Sequence, residues 1–175
     1  LGATSVEWGG AGGTTLTKAG GVTETQNASE LWYLNDAGIG VGAQADDILV
    51  TLPAQANNLG VVAFWLDGVV QTGPEQTVTN SDSATNATAL AATINSVLAG
   101  SMVVSAGGTG DANTMTADGG QTTLGNQAQT SSIVAAGYEI PGAGNHTQGW
   151  TFAASRRPCM VLSEWAEASS RSITD

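Results

Sequence analysis

Apolar and polar residues alternate along most of this chain in short runs, each stopped by Gly, Pro, Asn, Asp or Ser. Alternation with a period of two is the mark of strands with one face buried. Residues 3–8 (ATSVEW) alternate and stop at Gly9-Gly10. Residues 14–18 (TTLTK) follow Gly12-Gly13, so the pair reads as a hairpin or a strand with a wide turn. Residues 30–34 (ELWYL) end at Asn35-Asp36, and residues 47–52 (DILVTL) end at Pro53. Residues 59–66 (LGVVAFWL) are apolar without alternation and end at Asp67-Gly68, which predicts a central strand covered on both faces. A turn is expected at Gly73-Pro74, weak alternation over 76–79, and a polar connection over 80–86.

Residues 87–98 (ATALAATINSVL) carry two periods at once. Leu90, Ile94, Val97 and Leu98 have helical spacing, whereas Leu90, Ala92 and Ile94 alternate and Thr88 and Thr93 favour a strand. The strand is the favoured reading. Closing strands are expected near 102–105, 114–116, 133–139, 150–154 and 160–168. The total is roughly nine to eleven short strands with a turn signal about every ten residues, and neither βαβ spacing nor a fixed-period repeat. The expected fold is all-β, an antiparallel β-sandwich of jelly-roll or Greek-key type. Residues 1–175 form one domain in this reading, with an ordered core over about 4–168 and a polar tail at 169–175.

Composition narrows the function classes. Charged residues make up 11% of the chain, so the surface is kept wet by Thr, Ser, Asn and Gln, as in many extracellular and virion proteins. The net charge of −11 and four basic residues leave no cationic surface for nucleic acid or for an anionic membrane. No run reaches the roughly 18 apolar residues needed to insert a helix into a membrane. Cys159 is the single cysteine, so an intrachain disulfide is excluded, and its place in CMVL reads as a buried small hydrophobe. The chain starts at Leu1 with no signal peptide, which reads as a processed chain or a fragment.

The candidate chemistry is sparse. His146 is the single histidine, in the loop-like PGAGNHTQG, and no G-x-S-x-G elbow accompanies it, so the chain is expected not to be an enzyme. Asp46, Asp47, Asp111 and Asp118 are weak calcium candidates, oxygen donors in loops without a known calcium motif; turn formation and strand-edge charge are the favoured roles. No cofactor is expected beyond a structural calcium at those carboxylates. Asn27, Asn86 and Asn145 sit in glycosylation-type triplets that arise readily by chance in an Asn- and Thr-rich chain. Trp32, Trp65 and Trp150 have apolar neighbours and are assigned to the core. Trp165, flanked by Glu164 and Glu167, is the aromatic with the best case for exposure and the glycan-stacking candidate, although packing is favoured for it too.

Four stretches in this order resemble a widespread family of Gly/Thr-rich β-sandwich domains of bacterial surface proteins and bacteriophages. They are SVEWGGAGGTTLTKAG; ELWYLNDAG with DDILVTLP; VVAFWLDGVVQTGP; and the closing ladder GSMVVSA, GGQTTLGNQ and GWTFAASRRPCMVLSEWAEA. The resemblance runs from about Thr4 to Ala168. It implies a sandwich without an assigned activity and without catalytic residues to carry over. It also implies a further strand or two ahead of SVEWGG, one of them long and apolar, where this chain starts at Leu1. A fragment, a strand donated by a neighbouring subunit and a dispensable strand are the three explanations, and completion of the edge in an assembly is the expectation.

The functional expectation is a non-enzymatic structural module on a virion surface, as a capsid decoration or tail-associated protein. A subunit of a bacterial extracellular filament or adhesin is the first alternative, and a glycan-binding sandwich the second. The expected partners are copies of the chain or a viral or cell-surface scaffold, with glycans a further class. The expected location is extracellular, on a virion or cell surface.

Overall fold

The structure is a computed structural model that describes residues 2–39, 47–83, 87–110 and 114–168, without the side chains of 154–156. Asp46, Asp111, Asn86 and the expected tail at 169–175 lie outside the described residues. Within them the chain is an all-β antiparallel sandwich of twelve strands and one single-turn helix.

The central sheet has the order β10-β11-β8-β12-β6 and is antiparallel throughout: β6 (Gln76–Ser81), β8 (Met102–Gly110), β10 (Thr122–Ala128), β11 (Ser132–Glu139) and β12 (Gly144–Trp165). Its inner strands are buried on both faces because their side chains alternate between two cores. Val103 of β8, Ile133 and Ala135 of β11 and Met160 and Leu162 of β12 face one way. They meet Leu90, Ala92, Ile94 and Val97 of β7 (Ala87–Val97) and Met115 of β9 (Met115–Ala117). Val104 and Ala106 of β8 and Val161 and Trp165 of β12 face the other way, toward Leu31, Val69, Tyr33, Phe64 and Leu66.

Strand β12 belongs to both packed layers. Its first half pairs with β7 and β9, and its second half with β8 and β6. The two strands expected at 150–154 and 160–168 are therefore one 22-residue strand. It turns the corner at a bulge where the register against β8 slips between Arg156 and Cys159 and Arg157 takes φ 51°. The third layer is the hairpin of β3 (Thr17–Thr23) and β4 (Ala28–Tyr33), lying over the second core. Beside it is a small sheet of β2 (Thr14–Thr15), β1 (Ser5–Trp8) and β5 (Ile48–Thr51), in that order. The helix α1 (Asp36–Ile39) follows β4.

The double period of residues 87–98 has a structural cause. β7 alternates inward at Leu90, Ala92 and Ile94, then places Ser96 at φ 60° in a bulge opposite Asn145. The Ser96 N–H donates to Asn145 Oδ1 at 3.1 Å, and the extra residue brings Val97 back to the core. A helix-like spacing thus arises from a strand with one bulge.

Glu164 is fully buried near the end of β12, without a cation beside it among the described residues. Its carboxylate instead accepts from Gln76 Nε2 at 2.8 Å and from the Leu98 N–H at 2.7 Å, tying β6 and the β7–β8 turn to the centre of the sandwich. Glu164→Ala removes the acceptor of two part-buried donors and is expected to cost about 1–3 kcal/mol. Equilibrium urea unfolding measures this, and a loss of under about 0.5 kcal/mol, the size of an ordinary surface substitution, would reject the clamp.

Candidate interaction surface

Residues 59–66 do not form the central strand expected from their apolar run; they enter no ladder of the described residues. They run over β10 and β11 as an extended segment. Two glycines permit the close approach: a Cβ on Gly60 would lie 2.3 Å from Val134 Cγ1, and one on Gly125 would lie 2.7 Å from Val62 Cγ1. The even-numbered Val62, Phe64 and Leu66 are half-buried, and the latter two pack on the second core. The odd-numbered side chains point to solvent. Leu59 is 49%, Val61 44% and Trp65 71% exposed, with Ala63 exposed between them. The run is apolar on both sides, yet only one side is covered.

Leu49 of β5 is also an exposed large hydrophobe. Trp65 stands edge-on to Trp8 of β1, with ring centroids 6.2 Å apart at 73°. Residues 48–66 contain no charged side chain, between Asp47 and Asp67, in a chain of net charge −11. The segment thus joins an exposed apolar row to backbone N–H and C=O groups outside any ladder. Such an edge is a template for pairing with another chain.

The sequence-derived site residues fall elsewhere. Trp165 is 7% exposed, packed edge-on against Tyr33 at 5.2 Å, and donates from Nε1 to Ser163 Oγ at 2.9 Å. It has no face to offer a sugar, because the last turn of β12 points it into the second core. Trp65, assigned to the core by its apolar neighbours, is the exposed indole instead. Trp150 is buried, and Trp32 is half-buried, with Lys18 Nζ 5.6 Å from its ring centroid.

Asp47 is exposed at the start of β5, where its carbonyl accepts from Gly9 and Gly10. Asp118 sits in the turn after β9, bonded through its backbone to Gly149 and Gln121. Both act as turn residues. Among the described residues no group of three or more His, Cys, Asp or Glu side chains is placed to hold a metal ion. His146 Nε2 lies 3.3 Å from Glu139 Oε2, in ion-pair range but without hydrogen-bond geometry. Cys159 is 1% exposed, and burial pushes its thiol up to about 11, so the reactive thiolate is scarce at neutral pH. Asn27 donates from Nδ2 to the Arg157 carbonyl, and Asn145 sits in the β7 bulge, so both amides serve the fold.

Beside the row lies a charged cluster that holds the start of the chain. Glu30 accepts from Lys18 Nζ, from the Ala3 N–H at 3.0 Å and from Trp32 Nε1 at 3.0 Å. Burial pushes the Glu30 carboxyl up, and the Lys18 ammonium and these donors together bring it below its ordinary value. The carboxylate therefore contributes stability that is fully present above the unfolded-state value near 4.5 and is lost as pH falls through the lower folded value. Glu30→Gln is expected to flatten the acid limb of the stability–pH profile in that window. A variant profile parallel to the wild type would reject the pairing.

The chain matches no protein-family model, no curated protein and no solved structure.

Proposed function

We propose that this protein is a non-enzymatic structural module that assembles through the exposed apolar edge at residues 59–65. The observation that carries this reading is the row Leu59, Val61 and Trp65 on a segment outside any ladder. Contact there removes apolar surface from water and brings backbone groups within pairing reach. The absence of charge along 48–66 matters because a second copy also carries −11. Like-charged subunits associate most readily where neither presents a charge. The sequence resemblance supports reading such a module as a virion-surface decoration or tail-associated protein, with a subunit of a bacterial extracellular filament or adhesin as the alternative.

Electron microscopy of the purified chain, alone and with candidate scaffold particles, tests the proposal. Ordered multimers or periodic decoration are expected. A strict monomer that decorates nothing would overturn it. Glycan binding is the second reading, and the 71% exposed Trp65 favours it. An exposed indole is a stacking platform for a sugar ring. Saturable sugar binding that is lost in Trp65→Ala, without any assembly, would put this reading first.

A further inference from the structure

Among the described residues the space between the layers is not filled, and a cavity of about 1090 Å³ lies along the 59–66 segment. Its walls are mixed: Val6 from β1, Leu31 from β4, Val62 and Phe64 from the extended segment and Val104 and Ala136 from the central sheet supply an apolar part, and Gln26, Asn27 and Arg157 are among its polar residues. This is just above the range of about 300–1,000 Å³ usual for small-molecule sites, which combine apolar walls with a few placed polar groups.

Among the described residues that line it, three are charged: Glu30, Asp36 and Arg157. Glu30 is committed to Lys18, Ala3 and Trp32. Asp36 is at the start of α1. Arg157 is the one cation of the described lining. It is partly exposed and forms no ion pair among the described residues, its Nη1 donating to the neutral amide oxygen of Gln26. The β12 bulge positions it, with φ 51° and its carbonyl held by Asn27 Nδ2 at 3.0 Å. A guanidinium that has only a neutral partner still offers its fork to a carboxylate.

We infer that the cavity binds the hydrocarbon chain of a monocarboxylic acid of the fatty-acid class, with its carboxylate on Arg157. The net charge of −11 does not forbid an anionic head, because exposed charges are screened beyond about 8 Å at physiological ionic strength. The cavity also borders Leu59, Val61 and Trp65 of the exposed row, so ligand binding and assembly share this segment and the test separates them.

The test is a titration of the purified chain with decanoate, dodecanoate and tetradecanoate and with the matching 1-alkanols. Trp8 and Trp165 line the cavity, so intrinsic fluorescence reports occupancy, and calorimetry gives the stoichiometry. One-to-one saturable binding is expected, tightening about fourfold per added methylene until the cavity is full. Carboxylates should bind at least about tenfold more tightly than the alkanols. Arg157→Gln should remove that preference and leave alkanol affinity unchanged, while Arg157→Lys retains part of it. The unchanged alkanol affinity separates loss of the headgroup contact from loss of the fold. Non-saturable binding, or Arg157→Gln binding carboxylates as tightly as the wild type, would overturn the inference. So would fatty acid that binds only to wild-type chain dissociated by dilution, which would assign the cavity to a second copy.

Discussion

Trp150→Ala is expected to cost about 3–5 kcal/mol of folding stability, enough to consume much of the margin of a domain of this size. Trp150 is 1% exposed and lies across the inner face of the central sheet. Its indole rests where two adjacent strands carry glycine. A Cβ on Gly107 of β8 would lie 3.2 Å from Cδ1, and one on Gly137 of β11 would lie 3.3 Å from Cη2. The ring thus fills space that the sheet leaves open, between Met115 and the β7 side chains of the first core. Removing it opens a cavity that neither glycine can collapse into. Urea unfolding should show a lower midpoint at an unchanged slope. Trp150→Phe, which retains an aromatic ring in that space, should recover most of the loss. A cost under about 1 kcal/mol for Trp150→Ala would show that the indole does not carry the first core.

Trp65→Glu is expected to abolish self-association or scaffold decoration while leaving the monomer folded. At 71% exposure the side chain contributes little to the fold beyond its edge contact with Trp8, worth about 0.5–1.5 kcal/mol. At an interface a central Trp typically carries about 2 kcal/mol or more, a factor of about 30 in affinity, and the new carboxylate adds an unpaired charge. Sedimentation velocity should show the variant as a monomer at concentrations where the wild type is assembled. Raised salt should strengthen wild-type assembly, because the apolar contact opposes repulsion between acidic subunits and salt screens that repulsion. Thr88→Glu, on the exposed outer face of β7, should leave assembly unchanged. Equal association of the two variants and the wild type would remove the 59–65 edge from the interface.

The elements legible in sequence were those whose alternation meets a single core. β1, β4 and β5 lie where alternation and turn residues place them, because each has one clear apolar side. β10 (TTLGNQA) was missed: it is an edge strand, mostly exposed, with little apolar pattern to see. The length of β12 was missed because residues 155–158 (SRRP) look like a break, while the backbone carries the strand through them with a bulge at a sheet corner. The candidate aromatic was misplaced. Trp165 had the best case for exposure, with packing favoured, and it is packed; Trp65 looked buried for its apolar neighbours and is exposed. Local composition reports the company of a residue along the chain, not across it.

By itself the sequence determined an antiparallel all-β fold, an acidic and weakly charged surface, a single buried thiol, and the uncharged apolar run at 48–66. These are properties of period, composition and turn chemistry, which act within a few residues. Only the tertiary structure decided how many layers stack on the central sheet and which face of residues 59–66 is covered. It also decided that a cavity remains beside them among the described residues, and that Arg157 lies on its wall. An apolar residue is equally content against any layer that excludes water, so its own period cannot say where the last layer ends.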